Sequence, residues 1–179
     1  MKFSQTALHG TWMIALEKRA DERGFFARTW CAQEMREQGL DPVVAQINTG
    51  VSTRAGTLRG LHFQEAPHAE AKIARCVRGA AFDVAVDLRP DSPTFLRWFG
   101  AVLTAENGHA LYVPGGCAHG YLTLEDDTEL TYTTSKPYAP KASRGVRYDD
   151  AAFGIRWPRT VEVVSDADRS WPDYKRSTA

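Results

Sequence analysis

The residue types best suited to chemistry lie in one stretch, Gly56 to Gln64 (GTLRGLHFQ), and at Lys72 after it. Arg59 and His62 stand there among apolar residues, and Lys72 begins the alternating segment KIARCV. Because successive side chains of a strand point to opposite faces, one face can carry polar groups into a cavity. Two such strands that supply His, Arg and Lys to one pocket indicate a site that binds an anion and moves a proton. The alternative is a pair of ordinary strands with solvated basic faces.

A second motif, Pro114 to Gly120 (PGGCAHG), has the Pro-x-Gly-x-x-His pattern of the second cupin-barrel signature. Glycine permits the tight turn between strands, and His119 is expected to point inward. Metal-binding cupins also have a His-x-His and a later Glu, but this chain has His62-Phe63-Gln64 and Glu70. One imidazole is therefore missing, which makes a divalent-metal site the weaker alternative, and we expect no metal.

Most of the segments that must position these residues have the pattern of short strands separated by Gly, Pro, Asn or Asp. The clear helix is Ala32 to Gln38, and Ser165 to Arg169 is a candidate for one terminal helical turn. Many short strands with almost no helix favour an all-β sandwich or barrel. The predicted strands are Trp12–Leu16, Phe25–Trp30, Val43–Asn48, Thr57–Gln64, Lys72–Arg78, Ala81–Leu88, Thr94–Leu103, Ala110–Val113, Gly120–Leu124 and Glu129–Thr134.

The segment Phe82 to Leu88 (FDVAVDL) alternates strictly, which places Asp83 and Asp87 on one face. Asp83 is therefore a candidate to orient His62 from inside the barrel. The equally open alternative is a carboxylate that faces solvent.

Length and charge exclude several classes of protein. The 179 residues are predicted to form one domain, 1–179, and the 22 basic and 22 acidic residues leave a net charge of zero. Nucleic-acid binding and polybasic membrane binding both need a positive field, so neither is expected. No apolar run approaches the roughly 20 residues that span a bilayer, and the N-terminus lacks a signal-peptide core. Three widely spaced cysteines without a CxxC indicate free thiols in a reducing cytoplasm: Cys31, Cys76 and Cys117.

An ordered series of motifs runs along the chain: DERGFF from Asp21, QIN from Gln46, LRGLHFQ from Leu58, Ala71-Lys72, FDVAVDLRPDSPTF from Phe82, Pro114–Gly120, Tyr132 with Tyr138, Asp150, Trp157-Pro158 and Ser165–Asp168. With this series, from Asp21 to Pro172, the chain resembles the dTDP-4-dehydrorhamnose 3,5-epimerases, the metal-free cupin enzymes of nucleotide-sugar biosynthesis. The resemblance implies an antiparallel jelly-roll (cupin-like) barrel with short helices near both termini, no cofactor, and a nucleoside-diphosphate sugar as substrate. It also implies a homodimer in which an N-terminal strand of one subunit joins the sheet of the other.

The family inverts carbons that flank a ketone, and the resemblance assigns roles to four residues. In a 4-keto-6-deoxyhexose the hydrogens on C3 and C5 are weakly acidic, so a base can form an enolate that an acid on the opposite face reprotonates. His62 matches the base, and Asp168 matches the carboxylate that pairs with it. Lys72 matches the cation beside the enolate oxygen, and Tyr132 matches the proton donor. Taken singly, Tyr132 has the pattern of a core aromatic and Asp168 that of a surface or helix-start carboxylate.

The resemblance also implies substrate-binding residues. Arg23, Gln46, Asn48 and Arg59 match positions that hold the nucleotide and its diphosphate, for which arginine offers bidentate hydrogen bonds. Tyr138 matches the aromatic that stacks on the base, and His119 matches a sugar contact. In the implied dimer, the residues that serve the neighbouring site are Arg23, Phe25 and Phe26.

Three positions depart from the family pattern. Arg28 stands where the family usually has Glu, Ala167 where Lys is common before the paired Asp, and Glu70 where Gln usually precedes Ala-Lys. Arg28 inverts a local charge, while the four residues assigned to proton transfer are all present.

Four alternatives remain open at this stage. Within the family, the alternatives are an enzyme that acts on C3 only or on C5 only, and one that uses a nucleotide other than dTDP. Outside the family, the chain would be a metal-dependent cupin isomerase or oxygenase, or a sugar-nucleotide-binding cupin without catalysis.

Overall fold

A computed structural model of the chain describes residues 1–174, so residues 175–179 of the predicted 1–179 domain lie outside the described part. Within that part, the helices α1 and α2 have six and four residues. No helix there has both the length and the apolar character needed to cross a membrane. The elements are β1 Lys2–Gln5, β2 Trp12–Ala15, β3 Arg19–Asp21, β4 Gly24–Phe26, α1 Ala32–Glu37, β5 Gln46–Ser52, β6 Thr57–Gln64, β7 Lys72–Arg78, β8 Ala80–Asp87, β9 Trp98–Thr104, β10 Ala110–Val113, β11 Cys117–Thr123, β12 Thr128–Thr134, β13 Ser143–Gly145, β14 Val163–Val164 and α2 Asp166–Arg169.

The strands form two large sheets and one hairpin. The first sheet has the order β1-β2-β10-β7-β12-β5, and the second has the order β13-β6-β11-β8-β9. Pairing is antiparallel in both sheets and in the β3–β4 hairpin, whereas β14 runs parallel to β6. This arrangement confirms the predicted all-β antiparallel fold.

Three apolar clusters hold the sheets and their cover in place. The central cluster lies between the sheets and joins Leu111 and Leu130 of the first sheet to Leu103 and Ala85 of the second. A second cluster packs Met35 of α1 against the first sheet, and a third packs the C-terminal segment against the second sheet. Burying these side chains removes apolar surface from water, and each Å² that is buried contributes roughly 25 cal/mol of stabilising free energy. This is the main force that keeps the two sheets face to face.

The predicted strands β6, β7 and β10 begin and end at the observed residues, and the predicted helix is one residue too long. Three predicted strand starts are wrong by three or more residues, and one of them is that of β11, which begins at Cys117 and not at Gly120. β5 begins at Gln46 and not at Val43, because the Val43 amide bonds to the side chain of Asp41 in a turn. β9 begins at Trp98 and not at Thr94, because the segment before it folds back onto Asp87.

Candidate active site

A cavity of about 920 Å³ opens between the two sheets, and polar residues line it from both sides. All four predicted catalytic residues line this cavity, and so do five of the seven predicted binding residues. Arg23 and Phe26 do not line it. The lining residues named in the sequence analysis are Gln46, Asn48, Arg59, His62, Lys72, His119, Tyr132, Tyr138 and Asp168.

The two walls of the cavity supply different groups. On the first sheet, Tyr132 of β12 lies beside Asn48 of β5. On its other side β12 pairs directly with β7, the strand that begins with Lys72. On the second sheet, His62 of β6 lies beside His119 of β11 in antiparallel register. A ligand between the sheets therefore has an imidazole on one side and a phenol on the other.

Gly60 allows both Arg59 and His62 to line the cavity although they are three residues apart. Strict alternation would send them to opposite faces. Gly60 has φ +126°, and the pairing of β6 with β11 shifts between His119 and Tyr121. A Cβ at Gly60 would lie 2.6 Å from the Gly120 Cα, so the two strands approach too closely for any side chain here. The glycine bulge is what brings the cation and the imidazole into one site.

His62 is held by Asp168 from the C-terminal helix. His62 Nε2 lies 2.6 Å from Asp168 Oδ1, and the Gly60 amide donates to Asp168 Oδ2 at 3.2 Å. Burial by itself would raise the pKa of the Asp168 carboxyl, but the hydrogen bonds from His62, Gly60 and Ser165 together keep that pKa below its ordinary value. An ionised carboxylate only accepts, so Nε2 carries the proton and the lone pair is left on Nδ1. Neutral imidazole in this tautomer is a base directed by its carboxylate partner.

Asp83 lies in the barrel interior, but its predicted partner is wrong. Its carboxylate lies 2.9 and 3.0 Å from His119 Nε2, and its side chain is fully buried, which also excludes the solvent-facing alternative. The reason is register: Asp83 pairs with Tyr121 on β11, so His119 of that neighbouring strand is within reach, whereas His62 is one strand farther away. The site thus contains two His–Asp pairs, of which the His62 pair is the more open to the cavity, with 48% of the His62 side chain exposed against 8% for His119.

Lys72 is almost fully buried and pairs with Glu70. Its Nζ lies 2.5 Å from Glu70 Oε1 and donates to the backbone carbonyl of His62 at 3.2 Å. The ammonium is therefore fixed next to the strand that bears His62.

Tyr132 presents a neutral phenol. Burial raises the pKa of its hydroxyl, the Arg59 guanidinium opposes that rise, and the Glu70 carboxylate adds to it. The phenol is consequently protonated at neutral pH and can donate a proton.

Four of the residues predicted to bind the nucleotide line the cavity, whereas Arg23 does not. Arg59 donates to Ser52 Oγ at 3.2 Å and to the Val51 carbonyl at 2.9 Å, which fixes the guanidinium at the wall. Gln46 Oε1 accepts from the Tyr138 amide at 2.8 Å and so holds the loop that places the exposed Tyr138 ring at the rim.

Gln64, considered above as a metal ligand, is used to tie down the same loop. Its amide nitrogen donates to the carbonyls of His68 and Pro137, and its oxygen accepts from the Ala139 amide at 2.6 Å. Within residues 1–174, no group of three or more His, Cys, Asp or Glu side chains is placed to hold a metal ion.

Arg23 and Phe26 lie on the exposed β3–β4 hairpin, away from the cavity of their own chain. Arg23 pairs with Asp21 at 2.6 Å and keeps 83% of its side chain exposed, and Phe26 is 72% exposed. Arg28 follows the hairpin and pairs with Glu34 at 2.6 Å, so its inverted charge is compensated outside the cavity.

Tyr121 also lines the cavity, although it was not among the residues predicted for the site. It lies two residues after His119 on β11, so the alternation of that strand was a signal that could have found it. Burial raises the pKa of its hydroxyl to about 12. The motif predicts His119 in a turn before the strand, whereas β11 already begins at Cys117. With His119 outside the predicted strand, His119 and Tyr121 could not be recognised as neighbours on one face.

The chain is similar to known proteins of one family. The family model described as dTDP-4-dehydrorhamnose 3,5-epimerase matches residues 5–176. The chain is 43% identical over 173 residues to the dTDP-4-dehydrorhamnose 3,5-epimerase of Sinorhizobium fredii, covering 96% of this chain and 89% of that protein. The crystal structure of the Bacillus anthracis enzyme with TDP and pyrophosphate bound superposes with a TM-score of 0.93 at 38% identity, covering 97% of this chain and 99% of the other. A 3'-monoepimerase from Streptomyces bikiniensis in complex with dTDP-quinovose superposes with a TM-score of 0.87 at 37% identity, covering 94% and 85%.

Proposed function

The chain belongs to the dTDP-4-dehydrorhamnose 3,5-epimerase family, and we propose that it inverts C3 and C5 of a dTDP-4-keto-6-deoxyhexose by proton transfer through an enolate. The observation that supports this most directly is the arrangement of base and acid. His62, with Asp168 behind it, lies on one sheet, and the neutral phenol of Tyr132 lies on the sheet opposite.

Inversion needs removal of a proton from one face of a carbon and its return to the other face. The lone pair on His62 Nδ1 accepts the proton from C3 or C5, and the imidazolium that results is stabilised by Asp168. The carbon–hydrogen electron pair moves into the enolate. Tyr132 then donates its proton to the opposite face of that carbon, and the electrons return to reform the ketone.

Lys72 stabilises the negative charge that develops on the ketone oxygen during this step. Its ammonium is already oriented by Glu70 and by the His62 carbonyl, so little reorganisation accompanies the reaction.

The nucleotide half of the substrate is assigned to the outer cavity. Arg59 is directed at the diphosphate, Gln46 and Asn48 at the nucleotide, and Tyr138 at the face of the base. His119, oriented by Asp83, contacts the sugar. Arg23 and Phe26 are proposed to complete the site of a second subunit in a homodimer, which accounts for their exposure on a hairpin away from their own cavity.

We further propose that residues 1–179 act as one domain in the cytoplasm without a cofactor. The three free cysteines support the assignment to a reducing compartment. A chelator should therefore leave the activity unchanged, and activity that is lost with chelator and restored by a divalent metal would contradict this part of the proposal.

Proton NMR of dTDP-4-keto-6-deoxyglucose with the enzyme in deuterated water tests the function. Deuterium at both C3 and C5 is the expected result. Deuterium at one carbon would assign the chain to the single-site epimerases, to which the Streptomyces bikiniensis enzyme belongs. Absence of exchange with this nucleotide and with UDP and GDP analogues would overturn the proposal.

A further inference from the structure

The C-terminal segment packs along β6, the strand that bears His62. β14 pairs in parallel with the first residues of β6, and β13 pairs with its last three, beginning at His62. Between these pairings along β6, the Gly60 amide donates to Asp168 of α2. The helix has only four residues, Asp166–Arg169, and a helix of one turn is not stable by itself in water. Contacts outside the helix must therefore hold it on β6.

The indole of Trp171 makes such a contact just beyond the end of α2. A Cβ at Gly145 of β13 would lie 2.3 Å from both Cε2 and Nε1 of the indole, so the ring occupies the space where a side chain would be. Gly145 does not have a positive φ, so it is the indole and not the backbone that requires glycine here. Gly145 pairs directly with His62 in the β13–β6 register. The indole therefore lies against the backbone next to the proposed base.

Packing holds the indole in this position. Its Nε1 is buried and has no hydrogen-bond partner within residues 1–174. A buried N–H without an acceptor is unfavourable, so the contacts of the ring must outweigh that loss. Trp171 also lines the active-site cavity, as Asp168 does. The region of α2 is thus tied to β6 by Asp168 and to β13 by Trp171.

We propose that Trp171 is a positioning residue: its indole, packed on Gly145, holds α2 in place so that Asp168 stays within hydrogen-bonding distance of His62. This inference rests on the proposed function and deepens it, because His62 acts as the base only while its tautomer is fixed. Without the indole, α2 is held mainly from its N-terminal end, where β14 precedes it, and the carboxylate is free to shift. A misplacement of about 1 Å in a supporting group can cost about 100-fold in rate.

Kinetics of deuterium exchange with three variants test the contact between Trp171 and Gly145. We expect Trp171→Ala to lower kcat by about 10- to 100-fold and to leave the affinity for dTDP, measured by calorimetry, unchanged. Gly145→Ala should cause a similar loss, because the new methyl group displaces the indole. Trp171→Phe keeps an aromatic ring and loses the unpaired N–H, so it should retain most of the wild-type kcat. Tyr174→Ala, which removes another aromatic contact of the C-terminal segment outside the cavity, is the matched control and should keep the wild-type kcat.

Two further measurements ask whether the indole acts through the carboxylate. The double variant Trp171→Ala/Asp168→Asn should be no slower than Asp168→Asn alone, because residues that act as one unit have non-additive effects. Nitrogen-15 NMR of the His62 ring gives a readout that does not depend on turnover. The wild type should show Nε2 protonated and Nδ1 unprotonated, whereas Trp171→Ala should show a mixture of the two tautomers.

A wild-type kcat and a wild-type His62 spectrum in Trp171→Ala would overturn the proposal. It would also be overturned by losses that multiply in the double variant, or by a fall in dTDP affinity that matches the fall in kcat, which would assign the indole to the substrate. If Trp171→Ala fails to fold, Gly145→Ala decides, since it keeps the indole and changes only its position. A wild type that exchanges no deuterium but whose His62 tautomer depends on Trp171 would support the positioning role and overturn the proposed function.

Discussion

His62 Nε2 lies 2.6 Å from Asp168 Oδ1, although the two residues are 106 positions apart in the chain. The same carboxylate accepts from the Gly60 amide on the strand that bears His62, so α2 is fixed to β6 at two points. Because the backbone and the imidazole are held by one side chain, the ring has one orientation and one tautomer. The reactive lone pair on Nδ1 is available only while α2 remains docked on β6.

Replacing His62 with Ala should abolish deuterium exchange at both C3 and C5 and leave nucleotide binding nearly intact. The base is removed, but Gln46 and Asn48 lie on β5 and Tyr138 lies after β12, so most of the residues assigned to the nucleotide are on other segments than His62. General base catalysis typically contributes about 10²- to 10⁴-fold, so the loss should be of that order or larger. His68→Ala, on an exposed loop outside the cavity, is the control. Residual exchange within about tenfold of the wild type would remove His62 from the role of base.

Asp168→Asn should lower the rate of exchange by about 10²- to 10⁴-fold while the protein stays folded. The asparagine amide can donate to Nε2, which moves the imidazole proton to Nδ1 and blocks the lone pair. Steady-state kinetics should show the loss in kcat and not in KM. Asp166→Asn, on the same helix but exposed, should retain wild-type kcat. A kcat for Asp168→Asn close to that of the wild type would show that the tautomer does not matter.

The sequence predicts those features of the site that depend on local alternation. The strands with His62, Lys72 and Tyr132 follow from period-two patterns, and their polar side chains face the cavity as expected. The partner of Asp83 does not follow, because alternation gives the face of a side chain but not the neighbouring strand. Arg59 and His62 share one pocket as predicted, but alternation alone was the wrong reason, because residues three apart in a regular strand face opposite ways and only the Gly60 bulge brings them together. The short strands β1, β13 and β14 contain too few residues for a pattern, and their pairing with β2 and β6 is set by tertiary contacts.

Tyr132→Phe should still allow deprotonation but slow inversion, most visibly at C5. Removing the hydroxyl takes away the donor on the face opposite His62, whereas the base and Lys72 remain. Proton NMR should therefore show deuterium incorporated with retention of configuration faster than epimerised product forms. Tyr148→Phe, in an aromatic cluster on the outer face of the second sheet, should not change either rate. Product formation by Tyr132→Phe at the wild-type rate would exclude the phenol as the acid.

Asp87→Asn should lower the unfolding free energy at neutral pH. The variant should also lose less unfolding free energy than the wild type when the pH is lowered. Burial would raise the pKa of the Asp87 carboxyl, but hydrogen bonds from Arg89, Ser92 and Thr94 lower it from 3.8 to about 2. A lowered folded-state pKa gives a contribution that is complete above pH 4 to 5 and is lost as the pH falls towards 2. At about 1.4 kcal/mol per pKa unit that contribution is about 2 kcal/mol.

Urea unfolding at pH 6 and pH 3 measures this effect. The difference in unfolding free energy between the wild type and Asp87→Asn should shrink by about 1 kcal/mol over that range, since part of the carboxylate's contribution is lost by pH 3. Asp91→Asn, on the same loop but exposed, should keep the wild-type pH dependence. A difference that is constant with pH would show that Asp87 stabilises the fold by its shape and not by its charge.

Gly60→Ala should be strongly destabilising, and Gly24→Ala is its matched control. Both glycines have nearly the same positive φ, +126° and +125°, so both substitutions strain the backbone by about 1–3 kcal/mol. Only at Gly60 does the new methyl group meet other atoms, 2.6 Å from the Gly120 Cα and 2.9 Å from the His119 carbonyl oxygen, whereas at Gly24 nothing lies within 4 Å.

Moving β6 away from β11 to relieve the contact would also pull the Gly60 amide from Asp168 and turn His62 out of place. We therefore expect Gly60→Ala to lose about 1–3 kcal/mol more unfolding free energy in urea than Gly24→Ala, and to lose exchange activity even where it is still folded. Equal stability of the two variants would mean that β6 and β11 can separate without cost, and the bulge would then not be what positions the base.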